Sequence, residues 1–175
     1  MEVGNWNQIK NKLQDKINEI FKDCDLDSLS NYKKRKMVFE HLCSELSYDF
    51  DLLTGIRENA INKTRITRNP YLELASVIDY NVGICNAISQ YYKLLLEQLG
   101  INCYCVICTD GTEVPHQLCL IYNEETGAYS LDDVTSVLVN RGTVEQFFDY
   151  DLDVAKEFNQ GLEPIMDKAF WFFVT

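Results

Sequence analysis

The sequence predicts an α+β fold, with helices first and an antiparallel meander after them. Two patterns carry this reading. Apolar residues recur at spacings of three and four in the segments upstream of Ile101. Short β-rich segments separated by turn signals then fill Asn102 to Val134. A third observation is the composition: 46% hydrophobic and 12% aromatic residues in 175 supply the core of one domain.

Each element follows from its local pattern. Trp6, Ile9, Leu13, Ile17, Ile20 and Phe21 make Trp6 to Cys24 an amphipathic helix. It is read as padding for the domain, with a partner-binding arm as the alternative. Asp25 to Ser30 is a polar break, and Ser28 and Ser30 are the candidate N-caps for a helix over Tyr32 to Leu46. The basic run Lys33, Lys34, Arg35 and Lys36 at its start is read as a solvated face, and His41 as a satisfied structural histidine. Ser47 to Pro70 is poorly periodic and reads as a loop with a short helical piece. Tyr71 to Tyr80 regains a pattern through Leu72, Leu74, Ala75, Val77 and Ile78, and is expected to pack beneath Cys85.

The central helix carries Ile84, Ala87, Ile88, Tyr91, Leu94, Leu95 and Leu99 on one face, with Gly100 at the C-cap position. Asn102 to Thr109 reads as a strand, Asp110-Gly111 as a turn, and Pro115 to Tyr122 as a second strand. Asn123 to Gly127 is a hairpin loop, and Ala128 to Val134 is the returning strand. Val139 to Phe158 reads as helical or mixed, and Ala169 to Val174 as a last strand.

Charge and cysteine usage narrow the function classes. Sixteen basic against 27 acidic residues leave a net charge of −11. That disfavours nucleic acid and anionic membrane surfaces as partners and tolerates cationic peptides. No basic-then-apolar leader opens the chain, and no apolar run reaches the roughly 20 residues of a membrane span. Seven cysteines, an odd number without a leader, predict reduced thiols and a cytoplasmic location. Cys103, Cys105, Cys108 and Cys119 are read as free core thiols. Cys103 and Cys105 share a strand face that Cys108 does not, so they do not converge on a metal. No cofactor and no metal is expected.

The chemistry is expected at Cys85. A cysteine in the first turn of a helix feels the positive end of the helix dipole, which favours the thiolate. His116 on a strand can take and return the thiol proton, and a carboxylate can orient its ring. The hairpin identifies that carboxylate. If Asn123 pairs with Ala128, His116 faces Thr135, and Asp133 lies on the same face, roughly 5–8 Å away. Asp132 points to the other face, and one bulge in the loop would exchange the two. Asp133 is preferred and Asp132 is retained as the alternative. No oxyanion side chain is assigned, and Tyr80 and Asn81 are the nearest upstream candidates.

These residues also resemble the transglutaminase-like superfamily. The likeness lies in Gly83-Ile84-Cys85, the helix exit Gln98-Leu99-Gly100-Ile101, His116 on a strand, and Asp133-Val134-Thr135 as a D-x-T element. Phe39 to Asp49 is similar to the helix leading to a Y-D pair in bacterial members, and Phe172 to Thr175 resembles their last strand. The resemblance covers roughly residues 36–175. It implies a papain-like/transglutaminase-like fold, with the Cys-bearing helix packed on an antiparallel sheet. It divides the chain into an N-terminal helical extension, 1–30, and a transglutaminase-like domain, 31–175. It further implies thiol chemistry on a protein or peptide amide: peptide hydrolysis first, deamidation or transamidation otherwise. Two departures bear on the substrate side: Gln117-Leu118-Cys119 follows the histidine, and Ser136 stands where a tryptophan is common. The alternative reading is a catalytically inactive binding module of the same fold for a protein or peptide partner.

Overall fold

Helix α5, Cys85–Gln98, is the element the others pack around. Its residues Ala87, Ile88, Tyr91, Tyr92, Leu95 and Leu96 are buried in one continuous apolar cluster. The computed structural model describes residues 3–62, 69–108, 116–123, 126–151 and 165–166. The expected turn at Asp110-Gly111 and the expected last strand, Ala169 to Val174, lie outside them.

Four helices precede α5. Helix α1, Val3–Ile20, buries Ile9, Leu13 and Ile17 at intervals of four, and Phe21 continues the stripe. Helix α2, Asn31–Glu45, starts at Ser30, whose hydroxyl accepts the Lys33 N–H at 3.3 Å. It buries Val38, Phe39 and Leu42. It also buries Arg35, which corrects the solvated reading of the basic run: Lys33 is exposed, but Arg35 falls three and seven residues before Val38 and Leu42, on the inward face. His41 is corrected as well. Its Nε2 is buried with no hydrogen-bond partner among the described residues.

The segment after α2 is more ordered than expected. Strand β1, Ser47–Tyr48, precedes α3, Phe50–Ile61. The Asp49 carboxylate accepts the Leu52 N–H at 2.8 Å, a side-chain cap that periodicity alone does not report. Helix α4, Pro70–Tyr80, ends at Asn81, whose φ of 57° turns the chain into β2, Val82–Gly83. Strands β1 and β2 pair in parallel, Tyr48 opposite Gly83. Helix α4 packs beneath this turn as the sequence predicts. Helix α5 then closes in a Schellman arrangement: Gly100 (φ 73°) donates to Glu97 and Ile101 to Leu96.

The sheet is an antiparallel meander. Strands β3, Cys103–Cys108, β4, His116–Asn123, and β5, Ala128–Asp132, pair in sequence. Asn123 pairs with Ala128 and Cys119 with Asp132, the register the hairpin argument requires. The expected strand to Val134 is cut short, because Asp133 caps a new helix, α6, Val134–Leu138. Helix α7, Val144–Phe147, and edge strand β6, Tyr150–Asp151, follow. Strand β7, Ile165–Met166, pairs with β3, giving the order β6-β5-β4-β3-β7. A second apolar cluster, Val106, Leu118, Leu120 and Leu131, accounts for the alternate residues of the same strands. Among the described residues, no helix is long and apolar enough to cross a membrane.

Gly83 sits where the chain enters α5. A Cβ there would come within 2.2 Å of Val77 Cγ2, so α4 can lie this close only under a glycine. Gly83→Ala is expected to cost ~1–3 kcal/mol in urea unfolding, from overpacking. Adding Val77→Ala should relieve the collision and recover part of that loss despite its own cavity.

Candidate active site

Cys85 is the first residue of α5, and its N-cap, Ile84, has no side-chain acceptor for the helix's first N–H groups. Those amides and the dipole therefore face the region around the sulfur. His116 opens β4 and Asp133 follows β5, and the structure brings both to Cys85. His116 Nε2 is 2.8 Å from Asp133 Oδ2. This leaves Nδ1 for the thiol, which hydrogen-bonds the ring. The carboxylate is buried at 4% exposure, and the imidazole keeps 28%.

Asp133 is held in this position from three sides. Its own N–H donates to the Phe147 carbonyl at 2.9 Å. The Ser136 N–H donates to Oδ1 at 3.1 Å, and the Ser136 hydroxyl to Oδ2 at 2.6 Å. Burial works against its charge, but His116 and both Ser136 donors outweigh it and hold its pKa below the ordinary value. Ser136 was visible in the sequence only as a departure from the D-x-T-W pattern. Its contribution follows from the N-cap geometry.

The shifts all favour a thiolate–imidazolium–carboxylate chain. Burial opposes the charge on His116, yet hydrogen bonds to Asp133 and Cys85 raise its pKa to about 10. Burial likewise raises the Cys85 thiol, but His116 and the Gln117 backbone hydrogen bond bring it below its usual value. Cys43 shows the contrast. Burial, aided by the charge of Asp133, pushes that thiol up to about 12. Cys103 and Cys119 are buried free thiols, both raised by burial, and Cys119 Sγ donates to the Ser89 carbonyl at 3.3 Å.

Asp132 turns the other way. It accepts the Tyr92 hydroxyl at 2.7 Å and the Asp149 N–H at 2.7 Å, and its Oδ2 lies 3.2 Å from Arg35 Nε. Arg35, 3% exposed, also pairs with Asp149 and lies 4.7 Å from the Phe148 ring centre. Burial raises Asp132 to about 6 against these partners.

Tyr48 is the residue the sequence reading missed. Its hydroxyl oxygen accepts the Cys85 backbone N–H, which puts a phenol beside the sulfur. Burial and the Cys85 charge push it up to about 12, so it stays protonated at neutral pH. The upstream candidates are not so placed: Tyr80 is 76% exposed and Asn81 forms the α4–β2 turn. The Y-D pair was the available signal, but only the β1–β2 pairing connects it to Cys85.

No family model matches the chain, and no curated protein does. Among solved structures, it is similar to the crystal structure of a TGase, with a TM-score of 0.60 and 18% identity. The match covers 77% of this chain and 33% of that one, so the chain spans about a third of the matched structure's length. The likeness is one of fold: the chain has an α+β fold similar to that of the TGase structure.

Only two histidines occur in the chain, so His116 can be followed by imidazole NMR. Its folded pKa is raised from 6.5 to about 10, so the stability it contributes is full below 6.5 and is lost as pH rises through about 10. Asp133→Asn should bring the His116 midpoint down toward its ordinary value. Asp132→Asn, on the opposite side, should leave it in place.

Proposed function

We propose that this protein is a cysteine-dependent acyl-transfer enzyme acting on a protein or peptide amide, with Cys85 as nucleophile, His116 as acid and base, and Asp133 as the orienting carboxylate. What supports this most is the His116 ring lying between a helix-terminal thiol and a buried carboxylate. Peptide hydrolysis is the leading outcome, and deamidation or transfer to an amine follows from the same intermediate.

The Cys85 thiolate attacks the amide carbonyl carbon, forming a C–S bond and a tetrahedral oxyanion. The imidazolium of His116 gives its Nδ1 proton to the leaving nitrogen as the C–N bond breaks, leaving a thioester and a neutral ring. Water or an amine then attacks the thioester, His116 takes a proton from it, and the Cys85 thiolate departs. Asp133 keeps Nε2–H fixed throughout, so the ring presents Nδ1 to sulfur and leaving group alike. In this reading Tyr48 is the oxyanion donor: its oxygen rests on the Cys85 N–H, and its proton is available to the developing charge.

The same reading treats residues 1–30 as a helical extension and residues 31–175 as the transglutaminase-like domain. Ile9, Leu13 and Ile17 of the extension lie in the core cluster that holds α5.

Iodoacetamide at pH 6 should alkylate Cys85 in a fast phase that Cys85→Ala removes without moving the melting temperature by more than a few degrees. Uniformly slow labelling is the result a binding module gives, and it would withdraw the enzyme reading. Tyr48→Phe should lower kcat on a peptide amide roughly ten- to a hundredfold with KM little changed. A covalent thioester on Cys85, seen by mass spectrometry after incubation with cell lysate, would identify the acyl donor.

A further inference from the structure

Against a net charge of −11, the surroundings of Tyr48 beside Cys85 are unusual, because two arginines act on its hydroxyl. Tyr48, on the Cys85 N–H, marks the inner edge. The Phe50 ring packs against Tyr48 edge-on at 5.0 Å and is 57% exposed. Arg57 follows Phe50 by seven residues on α3, which places both on one helix face, about 10 Å apart along the axis. Asp51 and Glu58 repeat at the same interval, but about 100° further round the helix. Arg141 comes from a separate segment, the turn after α6. Its N–H donates to the Ser136 carbonyl at 2.9 Å, so it hangs from the turn that holds Asp133.

Both arginines are solvent-exposed, and neither has an ion pair among the described residues. Both reach the Tyr48 hydroxyl with their fields, and each draws its pKa down against the effect of burial. Two exposed cations without an ion pair among the described residues, with the Tyr48–Phe50 ring pair and a thiol near by, offer the chemistry that would hold a carboxylate attached to an extended chain.

We infer that the site selects acidic peptides: the acyl donor carries an Asp or Glu side chain within about three residues of the reacting amide, held between Arg57 and Arg141 with Phe50 as the wall beneath. The inference deepens the proposed acyl-transfer function and rests on it for the identity of the site. It makes the substrate preference opposite to the one the bulk charge suggests.

The test uses three fluorescein-labelled hexapeptides with one central glutamine, flanked by Glu, by Gln or by Lys. Binding is measured by anisotropy on Cys85→Ala, and turnover by ammonia release on the unmodified protein. The Glu peptide should bind Cys85→Ala about tenfold more tightly than the Lys peptide, with the Gln peptide between, and the difference should shrink in high salt. The Arg57→Glu/Arg141→Glu pair in the Cys85→Ala background should invert the order. Arg57→Gln/Arg141→Gln should flatten it, and exposed positions such as these should leave the melting temperature unchanged. A set without that ranking, whether all three bind alike or none binds, overturns the inference. The acyl-transfer reading is judged separately, by the Cys85-dependent burst with 4-nitrophenyl acetate, a neutral ester that needs neither arginine. A ranked binding series without that burst would keep the acidic-peptide site and remove the enzyme.

Discussion

Asp132 and Asp133 leave the end of β5 in opposite directions, and most of the molecule's polar organisation follows from that divergence. Asp132 points into the helical layer. There Arg35, the Tyr92 hydroxyl and the Asp149 N–H compensate a buried carboxylate. Such a pair yields little net stability, because removing two charges from water costs nearly what their attraction returns. It does fix geometry: α2, α5, β5 and the α7–β6 turn all contribute one partner. The next residue leaves the strand on the other side, where it caps α6 and puts its carboxylate on His116.

Asp133 is therefore at once a helix cap and a histidine partner. The two roles reinforce each other. The Ser136 N–H and hydroxyl satisfy lone pairs the imidazole does not use, so the carboxylate stays charged despite burial. A charged Asp133 keeps His116 protonated, and a protonated His116 pulls the Cys85 thiol down. Cys43 is raised by burial and by the same carboxylate, without an imidazolium of its own to oppose them. Thiol acidity here is set by the ring and the Gln117 backbone hydrogen bond rather than by proximity to the site.

The legible parts of the sequence were those governed by repeating patterns. Spacings of three and four mark α1, α2, α4 and α5 because each has one buried face. The hairpin register was legible because period-two alternation leaves few pairings, and it separated Asp133 from Asp132. What escaped depended on single residues or distant partners. Strands β1 and β2 are two residues each, too short to carry a period. Helix α3 is announced by one capping aspartate. Arg35 looked like part of a charge run, though its spacing to Val38 and Leu42 marks it as inward-facing. Tyr48 and Cys85 are far apart in the chain, and only the parallel β1–β2 pair joins them. The two departures noted beside the resemblance, Gln117 and Ser136, proved to touch the sulfur and the carboxylate through a backbone hydrogen bond and a hydroxyl.

Bulk charge and local charge act over different ranges. At physiological ionic strength an exposed charge is felt over ~8 Å, so the net charge of −11 governs the approach of a ligand but not its last contacts. At the Tyr48 hydroxyl partial burial weakens screening, and the positive fields of Arg57 and Arg141 act there against the negative charge of Cys85. The thiolate, the imidazolium and Asp133 together carry one negative charge, so the two exposed arginines leave the site with a small positive excess. A peptide with spread positive charge would be drawn to the surface and repelled at the mouth. One with a single carboxylate beside the reacting amide crosses a weak outer barrier and meets two cations at the end of it.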